Sequence, residues 1–408
     1  MVKVAVLGYG TVGSGVVEVL ERNKEAITKK AGQEISVKYV LDLRDFPGNP
    51  VEKILVHDYN VILNDPEVQI VAEVMGGTGA AYTFTKQALE AGKSVCTSNK
   101  ALVAAHGSEL LRIAKEHQCN YMFEASCGGA IPIIRPLRTC LSAEVIDEVT
   151  GILNGTTNFI LSEMSLKGSE FADVLKEAQD LGYAERNPEA DVEGHDACRK
   201  IAILSTLAYG KYLDYTDVHT EGITRVSAAD FKYASALDAR IKLLATSKKV
   251  GEKYYSMVSP VMIDAEDPLY SVMDVFNAVF VHGNMLGDCM FYGKGAGKLP
   301  TASAVVSDII DEARHLHSCL TESWDDEKLP LMSIDEVENR FFVRMKGTLI
   351  DNLCRVEKVF GKVKSLSVPE LPDEFAFITD KMTEKEYRDR IGQFDNVLSM
   401  IRVRFWAF

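Results

Sequence analysis

The chain has 408 residues, of which 47% are hydrophobic and 25% charged, which is typical of a globular protein with two or three domains. The net charge of −14 argues against nucleic-acid or anionic-membrane partners, which bind basic surfaces. The eight cysteines contain no CxxC pair, no apolar run reaches membrane-spanning length, and no signal-peptide pattern opens the chain, so we expect a cytoplasmic protein without a disulfide framework or zinc knuckle.

The first predicted element is a strand, Val2–Leu7, which runs directly into the loop Gly8-Tyr9-Gly10-Thr11-Val12-Gly13 and then into a helical pattern. In this context Gly8 permits a tight turn, Gly10 allows a pyrophosphate to approach the backbone, and Gly13 lets the helix pack closely on the strand. The helix N-terminus would face the phosphates. A dinucleotide-binding loop is therefore predicted here.

The second predicted strand, Ile35–Leu41, ends at Asp42-Leu43-Arg44. An acid at this position would hold a ribose 2′-hydroxyl, whereas an arginine would accept a 2′-phosphate. Because both residue types are present, the choice between NAD and NADP stays open. A solvated strand end is the alternative for either residue taken alone.

Two further strands are predicted at Val68–Met75 and Ser94–Thr97, with a helix at Thr83–Ala91 between them. Alternating strands and helices predict an α/β fold with a doubly wound parallel sheet, whose ligands bind at the carboxyl ends of the strands. The polar residues at those ends are Thr78, Ser98 and Lys100. The alternative for Lys100 is an ordinary surface lysine.

The predicted strand Asn120–Phe123 leads into a glycine-rich loop, Glu124–Pro132. Cys127 in this loop could be an acyl-enzyme nucleophile, although a small buried cysteine is the alternative. Glu124 and the loop carbonyls could instead present oxygen atoms to a hard cation. The second glycine cluster, Gly293–Gly297, precedes a predicted helix and is either a cofactor contact or a crossover turn.

Polar residues concentrate at Thr150–Asn158, where hydroxyls and amides could bind a zwitterionic substrate or form a turn and a helix cap. The densest cluster of charge lies at Ala178–Lys200, which is broken by Gly182, Asn187-Pro188 and Gly194. Two of its members, Asp196 and Lys200, lie on one face of a helix that begins at His195. An exposed ion pair is the alternative, but the breaks favour a site built around one lysine.

The segment Ser318–Pro330 is predicted to be a linker. After it, the pattern predicts strands, helices and strands in the order β-α-β-β-α-β, at Arg340–Met345, Ile350–Val359, Lys362–Val368, Phe375–Thr379, Thr383–Phe394 and Val397–Phe405. This order resembles a regulatory ACT domain. However, Lys346–Ile350 lacks the Asp and Pro-Gly that such domains carry in the first loop, so regulation by an amino acid and a structural role both stay open.

The spacing of Ala178, Gly182-Tyr183-Ala184, Asn187-Pro188, Asp191, Gly194, Asp196 and Lys200 resembles the signature of homoserine dehydrogenases. Five further blocks are similar to that family, in order: Thr97–Ala104, Glu124–Arg135, Gly151–Asn158, Glu221–Ile223 and Gly295–Val306. The resemblance covers roughly residues 2–320. It implies interconversion of L-aspartate 4-semialdehyde and L-homoserine with NADP or NAD, in threonine, methionine and isoleucine biosynthesis.

The resemblance also implies roles for residues. By this resemblance, Lys200 would be the proton-transfer lysine, with Asp196 beside it. The implied substrate contacts are Glu185, Asp191, Lys100, Gly155 and Thr156. The implied cofactor contacts are Gly8, Gly10, Thr11, Val12, Gly13, Arg44, Thr78, Ser98, Lys100 and Gly295. A sodium ion would be held by Glu124 and by the backbone of Cys127, Gly129 and Ile131, so Cys127 would contribute a carbonyl and not a nucleophilic sulfur.

Together these patterns predict a Rossmann-type dinucleotide-binding domain at residues 1–135, completed by roughly 295–317. A substrate and oligomerisation domain is expected at 136–294, and a small ACT-like domain at 331–408. We expect a homodimer or homotetramer. Two other hypotheses remain: a phosphate-dependent semialdehyde dehydrogenase that uses Cys127, and a catalytically idle cofactor sensor.

Overall fold

The computed structural model describes residues 1–320 and 324–406. Its strands are β1 (Val2–Leu7), β2 (Ile35–Leu41), β3 (Leu55–Val56), β4 (Val68–Glu73), β5 (Ser94–Thr97), β6 (Tyr121–Met122), β7 (Ile146–Ile152), β8 (Lys211–Tyr212), β9 (His219–Thr220), β10 (Ala239–Val250), β11 (Lys253–Asp264), β12 (Phe276–Gly283), β13 (Gly287–Lys294), β14 (Asp325–Lys328), β15 (Glu338–Lys346), β16 (Lys364–Leu366), β17 (Glu374–Ile378), β18 (Met382–Thr383) and β19 (Val397–Arg404).

Its α-helices are α1 (Thr11–Arg22), α2 (Lys24–Ala31), α3 (Tyr59–Leu63), α4 (Gly79–Glu90), α5 (Lys100–Glu116), α6 (Gly155–Lys167), α7 (Phe171–Asp180), α8 (Glu189–Val192), α9 (His195–Tyr209), α10 (Ala228–Ala236), α11 (Lys298–Arg314), α12 (Leu349–Phe360) and α13 (Glu384–Ile391). Within the described residues no helix is both long and apolar enough to cross a membrane.

The chain divides into two compact units. The first comprises Met1–Glu144, Ala202–Tyr215 and Gly293–Leu329, and its main sheet has six strands in the order β3-β2-β1-β4-β5-β6. All neighbouring strands of this sheet are parallel, which confirms the predicted doubly wound fold. The strand order reverses direction between β1 and β4, and ligands of such sheets bind beyond the carboxyl ends of the strands at this point.

Small residues allow the helices of the first unit to pack closely. A Cβ atom at Gly15 of α1 would lie 2.8 Å from the carbonyl oxygen of Lys298 and 2.9 Å from the Cβ of Ala302. Helix α11 therefore packs directly on α1, and its residues Val305, Val306 and Ile309 belong to the buried core over the parallel sheet.

The second unit comprises Val145–Ile201, Thr216–Tyr292 and Pro330–Phe408, and contains a sheet in the order β13-β12-β7-β10-β11-β19-β15-β17-β16. Its longest pairing is the antiparallel hairpin of β10 and β11, which aligns Leu243 with Pro260. The sequence reasoning did not predict these two strands, or β12 and β13.

The C-terminal segment of the second unit has the predicted order of elements, with β15, α12, β16, β17, α13 and β19 all present. Its core is formed by Phe341, Phe375 and Phe377 on the strands and Tyr387 on α13. Strand β19 also pairs in parallel with β11, where Val261 aligns with Arg402. Residues 331–408, which were expected as a separate domain, therefore share a sheet with the middle of the chain.

The predicted linker Ser318–Pro330 differs from the structure. Residues 325–328 form β14, which pairs in parallel with β8 at Lys211–Tyr212, while residues 321–323 lie outside the described residues. A polar composition predicted a linker because it carries no apolar periodicity, but backbone hydrogen bonds to β8 make this segment a strand.

Candidate active site

The glycine loop of the first unit has the geometry that its spacing predicts. Gly8 has a φ of 95°, which favours glycine, and a Cβ atom at Gly13 would lie 1.9 Å from the carbonyl oxygen of Gly8. A Cβ atom at Gly10 would have no heavy atom within 4 Å. Gly8 and Gly13 are therefore required by the fold, whereas the open space at Gly10 fits the close approach of a pyrophosphate. Helix α1 begins at Thr11, so Thr11, Val12 and Gly13 of the predicted loop already belong to the helix.

Asp42 and Arg44 form a bidentate ion pair beyond the end of β2. Arg44 donates to Asp42 Oδ1 from Nε at 3.0 Å and to Oδ2 from an Nη atom at 2.9 Å. The backbone N–H of Tyr9, within the glycine loop, donates to Asp42 Oδ2 at 2.8 Å. The hydrogen bonds from Arg44 hold the pKa of Asp42 far below its ordinary value. The acid and the arginine, which sequence reasoning treated as alternatives, are thus joined to each other and to the loop.

Glu73, the last residue of β4, is a site residue that sequence reasoning missed. Its fully buried carboxylate accepts hydrogen bonds from the N–H of Met75 at 2.8 Å and from Thr97 Oγ1 at 2.6 Å. Burial raises the pKa of Glu73 to about 7. The only sequence signal was an acid at the end of an apolar strand.

Asn99 extends this network to the remaining cofactor candidates. Its N–H donates to Thr97 Oγ1 at 2.9 Å, and its side-chain amide donates to the Gly77 carbonyl at 2.6 Å. It also caps α5, whose first residue is Lys100. Glu73, Thr97 and Asn99 therefore fix the start of the helix that carries Lys100. Ser98 lies within this turn, and Thr78 is exposed at the start of α4.

The first residue of the loop Glu124–Ile131 is held by backbone N–H groups that follow the loop. The Glu124 carboxylate accepts hydrogen bonds from the N–H groups of Ile133, Ile134 and Arg135 at 2.7, 2.9 and 2.8 Å. Gly129 has a φ of 57°, and a Cβ atom there would lie 2.4 Å from the Gly295 carbonyl oxygen. The loop thus contacts the second glycine cluster, within the first unit.

Two observations bear on metal binding at this loop. Within the described residues, no cluster of three or more His, Cys, Asp or Glu side chains could hold a metal ion. The Glu124 side chain is engaged by three N–H groups, so the cation donors that this loop offers are chiefly backbone carbonyls, which suit a hard ion. Cys127 is fully buried, where a small cysteine behaves as an apolar residue.

Lys200 and Asp196 form a buried ion pair in the second unit. Lys200 Nζ lies 2.7 Å from Asp196 Oδ2 and donates to the Leu153 carbonyl at 2.7 Å. The two side chains are 11% and 6% exposed. The predicted helix α9 begins at His195 and carries both residues one turn apart. The alternative interpretation, in which Asp196 and Lys200 form an exposed ion pair, is therefore wrong, because both side chains are buried.

Asn154 connects this ion pair to Asp191. Its side-chain Nδ2 donates to Asp191 Oδ1 at 2.7 Å and to Asp196 Oδ2 at 2.9 Å. Its Oδ1 accepts the N–H of Thr157 at 2.9 Å and caps α6. The sequence placed Asn154 in a polar cluster, and a helix cap was one interpretation of that cluster, but the bridge between two acids was not foreseen.

The other predicted substrate residues lie around the start of α6 and after α7. A Cβ atom at Gly155 would lie 2.8 Å from the Val275 carbonyl oxygen, so only glycine fits there. Thr156 donates its hydroxyl hydrogen to the Tyr183 carbonyl at 2.7 Å. Glu185 is exposed on the segment between α7 and α8.

Glu193 has a structural role that the sequence did not reveal. Its carboxylate accepts a hydrogen bond from Thr224 Oγ1 at 3.0 Å, and Ile223 N–H donates to the Val192 carbonyl at 2.8 Å. A Cβ atom at Gly222 would lie 2.3 Å from that same carbonyl oxygen. The loop 219–224 therefore holds Val192 and Glu193, which lie between Asp191 and Asp196, by hydrogen bonds. His195 is exposed.

The same loop is held from the C-terminal segment. Arg402 on β19 forms ion pairs with Glu221 at 2.8 Å and with Glu384 on α13 at 2.6 Å. Although burial opposes it, hydrogen bonds from His219 and Arg402 lower the pKa of Glu221 to about 2. A second buried arginine, Arg344, joins Asp230 and Glu374 in the same way, at 2.9 and 2.7 Å.

Two family models match this chain. The model described as homoserine dehydrogenase matches residues 132–310, and the model described as homoserine dehydrogenase, NAD binding domain, matches residues 8–124. The two matches follow each other along the chain and contain the second-unit lysine site and the first-unit glycine loop, respectively.

Similar proteins agree with these matches. The homoserine dehydrogenase of Neisseria gonorrhoeae is 38% identical over 415 residues, covering 96% of this chain and 94% of its own length. That of Pseudomonas aeruginosa is 41% identical over 356 residues, covering 85% and 82%. The crystal structure of the Thiobacillus denitrificans enzyme superimposes with a TM-score of 0.91 at 35% identity, covering 99% and 98%. A hyperthermophilic archaeal homoserine dehydrogenase in complex with NADPH gives a TM-score of 0.65 at 28% identity, covering 76% and 97%.

Proposed function

The chain belongs to the homoserine dehydrogenase family of nicotinamide-dependent oxidoreductases, and we propose that Lys200 transfers the proton when it interconverts L-aspartate 4-semialdehyde and L-homoserine. The observation that carries this proposal is the buried pair of Lys200 and Asp196, 2.7 Å apart. A lysine ammonium held in this way is an oriented acid, which is the group that carbonyl reduction requires.

The bound nicotinamide supplies hydride to the aldehyde carbon, or takes it up in the reverse reaction. In reduction, negative charge develops on the aldehyde oxygen, and the Lys200 ammonium stabilises that charge and gives up a proton. In oxidation, neutral Lys200 accepts the hydroxyl proton. Asp196 and the Leu153 carbonyl fix the direction of the Lys200 amine. Neither the reduction nor the oxidation requires a covalent bond between substrate and protein.

We propose that the substrate binds around the start of α6 in the second unit. The backbone N–H groups of Gly155 and Thr156 lie in the first turn of this 13-residue helix, where a carboxylate is favoured by the helix dipole. Glu185 and Asp191 would hold the amino and hydroxyl ends of the substrate by charge and hydrogen bonding.

The cofactor would lie along the glycine loop, with Gly8–Gly13, Thr78, Ser98 and Gly295 as its contacts. The open space at Gly10 supports a pyrophosphate there. Asp42 would accept the ribose 2′-hydroxyl of NAD, and Arg44, released from Asp42, would accept the 2′-phosphate of NADP. We propose that the enzyme uses both cofactors. The archaeal relative in complex with NADPH supports the use of NADP.

We propose a structural sodium ion at the loop Glu124–Ile131, with the carbonyls of Cys127, Gly129 and Ile131 as donors and the Glu124 carboxylate supplying negative charge. The test is a thermal melt in sodium chloride and in choline chloride at equal ionic strength. A higher melting temperature in sodium supports the site, because an ion that binds only the folded state stabilises it; equal temperatures contradict it.

We further propose a homodimer or homotetramer. The hairpin of β12 and β13 exposes Met285, Leu286, Met290 and Tyr292, and β13 is the end strand of its sheet. An apolar strand at the end of a sheet is a template for pairing with another chain. The mass is measured by light scattering after size-exclusion chromatography. A monomeric parent contradicts the proposed oligomer, and unchanged association in Tyr292→Lys contradicts an interface at β13.

For the C-terminal segment we propose a structural role. The buried arginines Arg344 and Arg402 are each paired with acids on two elements, which ties the segment to α10 and to the loop 219–224. The alternative, an ACT-like amino-acid sensor, predicts inhibition by threonine. Assays with and without threonine distinguish the two roles.

One assay tests the central proposal. The oxidation of NADPH and NADH is followed with aspartate semialdehyde for the parent, for Lys200→Ala and for Cys127→Ala. We expect an active parent that needs no phosphate, a loss of at least about 1,000-fold in kcat for Lys200→Ala, and near-parent activity for Cys127→Ala. An active Lys200→Ala variant would contradict the lysine assignment. A requirement for phosphate and for Cys127 would favour the acyl-enzyme hypothesis, and cofactor binding without turnover would favour the sensor.

A further inference from the structure

The side-chain amide of Asn154 connects residues of the proposed site, so the inference drawn from it rests on the proposed roles of Lys200, Asp196 and Asp191. This buried residue lies between the end of β7 and the start of α6, and both its amide oxygen and its amide nitrogen form hydrogen bonds. Its oxygen caps α6 through the N–H of Thr157, and its nitrogen donates to two different carboxylates. The helix cap fixes which end of the amide is which, because only the oxygen can accept from Thr157 N–H.

Both N–H groups of the amide are thereby directed at acids. Asp191 Oδ1 lies 2.7 Å and Asp196 Oδ2 lies 2.9 Å from Asn154 Nδ2, and the same Asp196 oxygen lies 2.7 Å from Lys200 Nζ. Lys200 in turn donates to the carbonyl of Leu153, the residue before Asn154. The start of α6, two acids and the lysine therefore form one closed hydrogen-bond network.

We propose that Asn154 is a positioning residue that couples substrate binding at Asp191 to proton transfer at Lys200. Two carboxylates bridged by one nitrogen would repel each other without a donor between them. The amide holds them in place without adding charge, so the Asp196 carboxylate stays oriented toward Lys200. When the substrate binds to Asp191, the Asn154 side chain transmits the change to Asp196, which is the acid that orients Lys200.

Few other side chains could do this. Serine caps a helix as well as asparagine does, but its hydroxyl has one hydrogen and a shorter reach. Aspartate also caps well and has the same shape, but it would place an oxygen where Nδ2 now stands, between the two acids. These two substitutions therefore separate the helix cap from the bridge.

The experiment compares the parent with Asn154→Ser, Asn154→Asp and Lys200→Ala. Melting temperature, the KM values for homoserine and cofactor, kcat, and the pH dependence of kcat for homoserine oxidation are measured. For both Asn154 variants we expect a parent-like cofactor KM, a kcat lower by about tenfold or more, and a higher homoserine KM, as the loss of hydrogen bonds to charged groups implies. Asn154→Ser should melt closer to the parent than Asn154→Asp, which adds a carboxylate beside two others. Only Asn154→Asp should move the pH profile, toward higher pH, because added negative charge favours the protonated lysine.

The outcomes distinguish this inference from the proposed function. The inference is overturned if Lys200→Ala is inactive while both Asn154 variants behave like the parent. Parent-like behaviour means a kcat and a homoserine KM within about twofold and an unshifted pH profile, and Asn154 would then be only a helix cap. If Lys200→Ala is itself active, the proposed role of the lysine fails. If either Asn154 variant melts far below the parent, the kinetics of the other variant decide. If both variants melt far below the parent, Asn154 is required for the fold around the two acids, and a separate role in coupling the two sites is rejected.

Discussion

The Cβ position of Gly13 lies 1.9 Å from the carbonyl oxygen of Gly8, so the start of α1 and the end of β1 touch backbone to backbone. Gly13→Ala should destabilise the protein by about 1–3 kcal/mol, the usual cost of overpacking. Gly10→Ala is the matched control, since its Cβ atom would meet no heavy atom within 4 Å. It should keep the parent stability and raise the KM for cofactor. Urea unfolding and steady-state kinetics measure the two effects, and equal stabilities would contradict this account.

Cofactor preference depends on the Asp42–Arg44 pair. Asp42→Asn removes the charge that opposes a 2′-phosphate and should lower the KM for NADPH while raising that for NADH, each by about tenfold, or ~1.4 kcal/mol. Arg44→Ala should raise the KM for NADPH alone. Kinetics with both cofactors check the two directions, and a shift of both KM values in the same direction would show that the pair does not discriminate between the cofactors.

The raised pKa of Glu73 predicts a pH dependence of stability. Between its ordinary pKa of 4.5 and its folded value of about 7, the folded state binds more protons than the unfolded state. The free energy of unfolding should therefore fall as the pH rises through this window, by about 3 kcal/mol in total. Glu73→Gln, which cannot ionise, should lack this slope. Urea titrations at about pH 5 and about pH 7 measure it in both proteins, and an equally steep slope in the variant would point to other groups.

The buried position of Arg402 predicts a large loss of stability on its removal. Its side chain is 4% exposed and pairs with two acids, so Arg402→Met should cost about 3–5 kcal/mol, chiefly by leaving the buried carboxylate of Glu384 without its ion pair. Arg388→Met is the control, because Arg388 forms an ion pair with Asp335 while 54% exposed and should cost less than about 1 kcal/mol. Equal losses in the two variants would contradict the difference that burial predicts.

Much of the first unit could be predicted from the sequence, because local patterns determine it. The bounds of β1, β2 and β5 agree with the predicted strands, since each is a short apolar run closed by glycine or polar residues. The reasons assigned to Gly8 and Gly13 also agree with the geometry of the loop. In the second unit, the breaks at Gly182 and Gly194 fall where α7 has ended and where α9 begins.

What could not be predicted depends on contacts between distant parts of the chain. The bridge from Asn154 to Asp191 spans 37 residues, and the ion pair of Arg402 with Glu221 spans 181. Neither leaves a periodic or spaced signal. The buried amine of Lys242, which donates to Asn158 Oδ1 at 3.1 Å and whose pKa burial lowers to about 7, is another case. From its residue type alone, a lysine is expected to be exposed.

The parallel pairing of β19 with β11 has a consequence for shortened forms of this chain. A truncation after Pro330 would remove the partner of Val261–Ile263 and leave the backbone donors and acceptors on that side of β11 open to any other extended chain. Such a truncated protein should therefore aggregate even if its lysine site stayed intact.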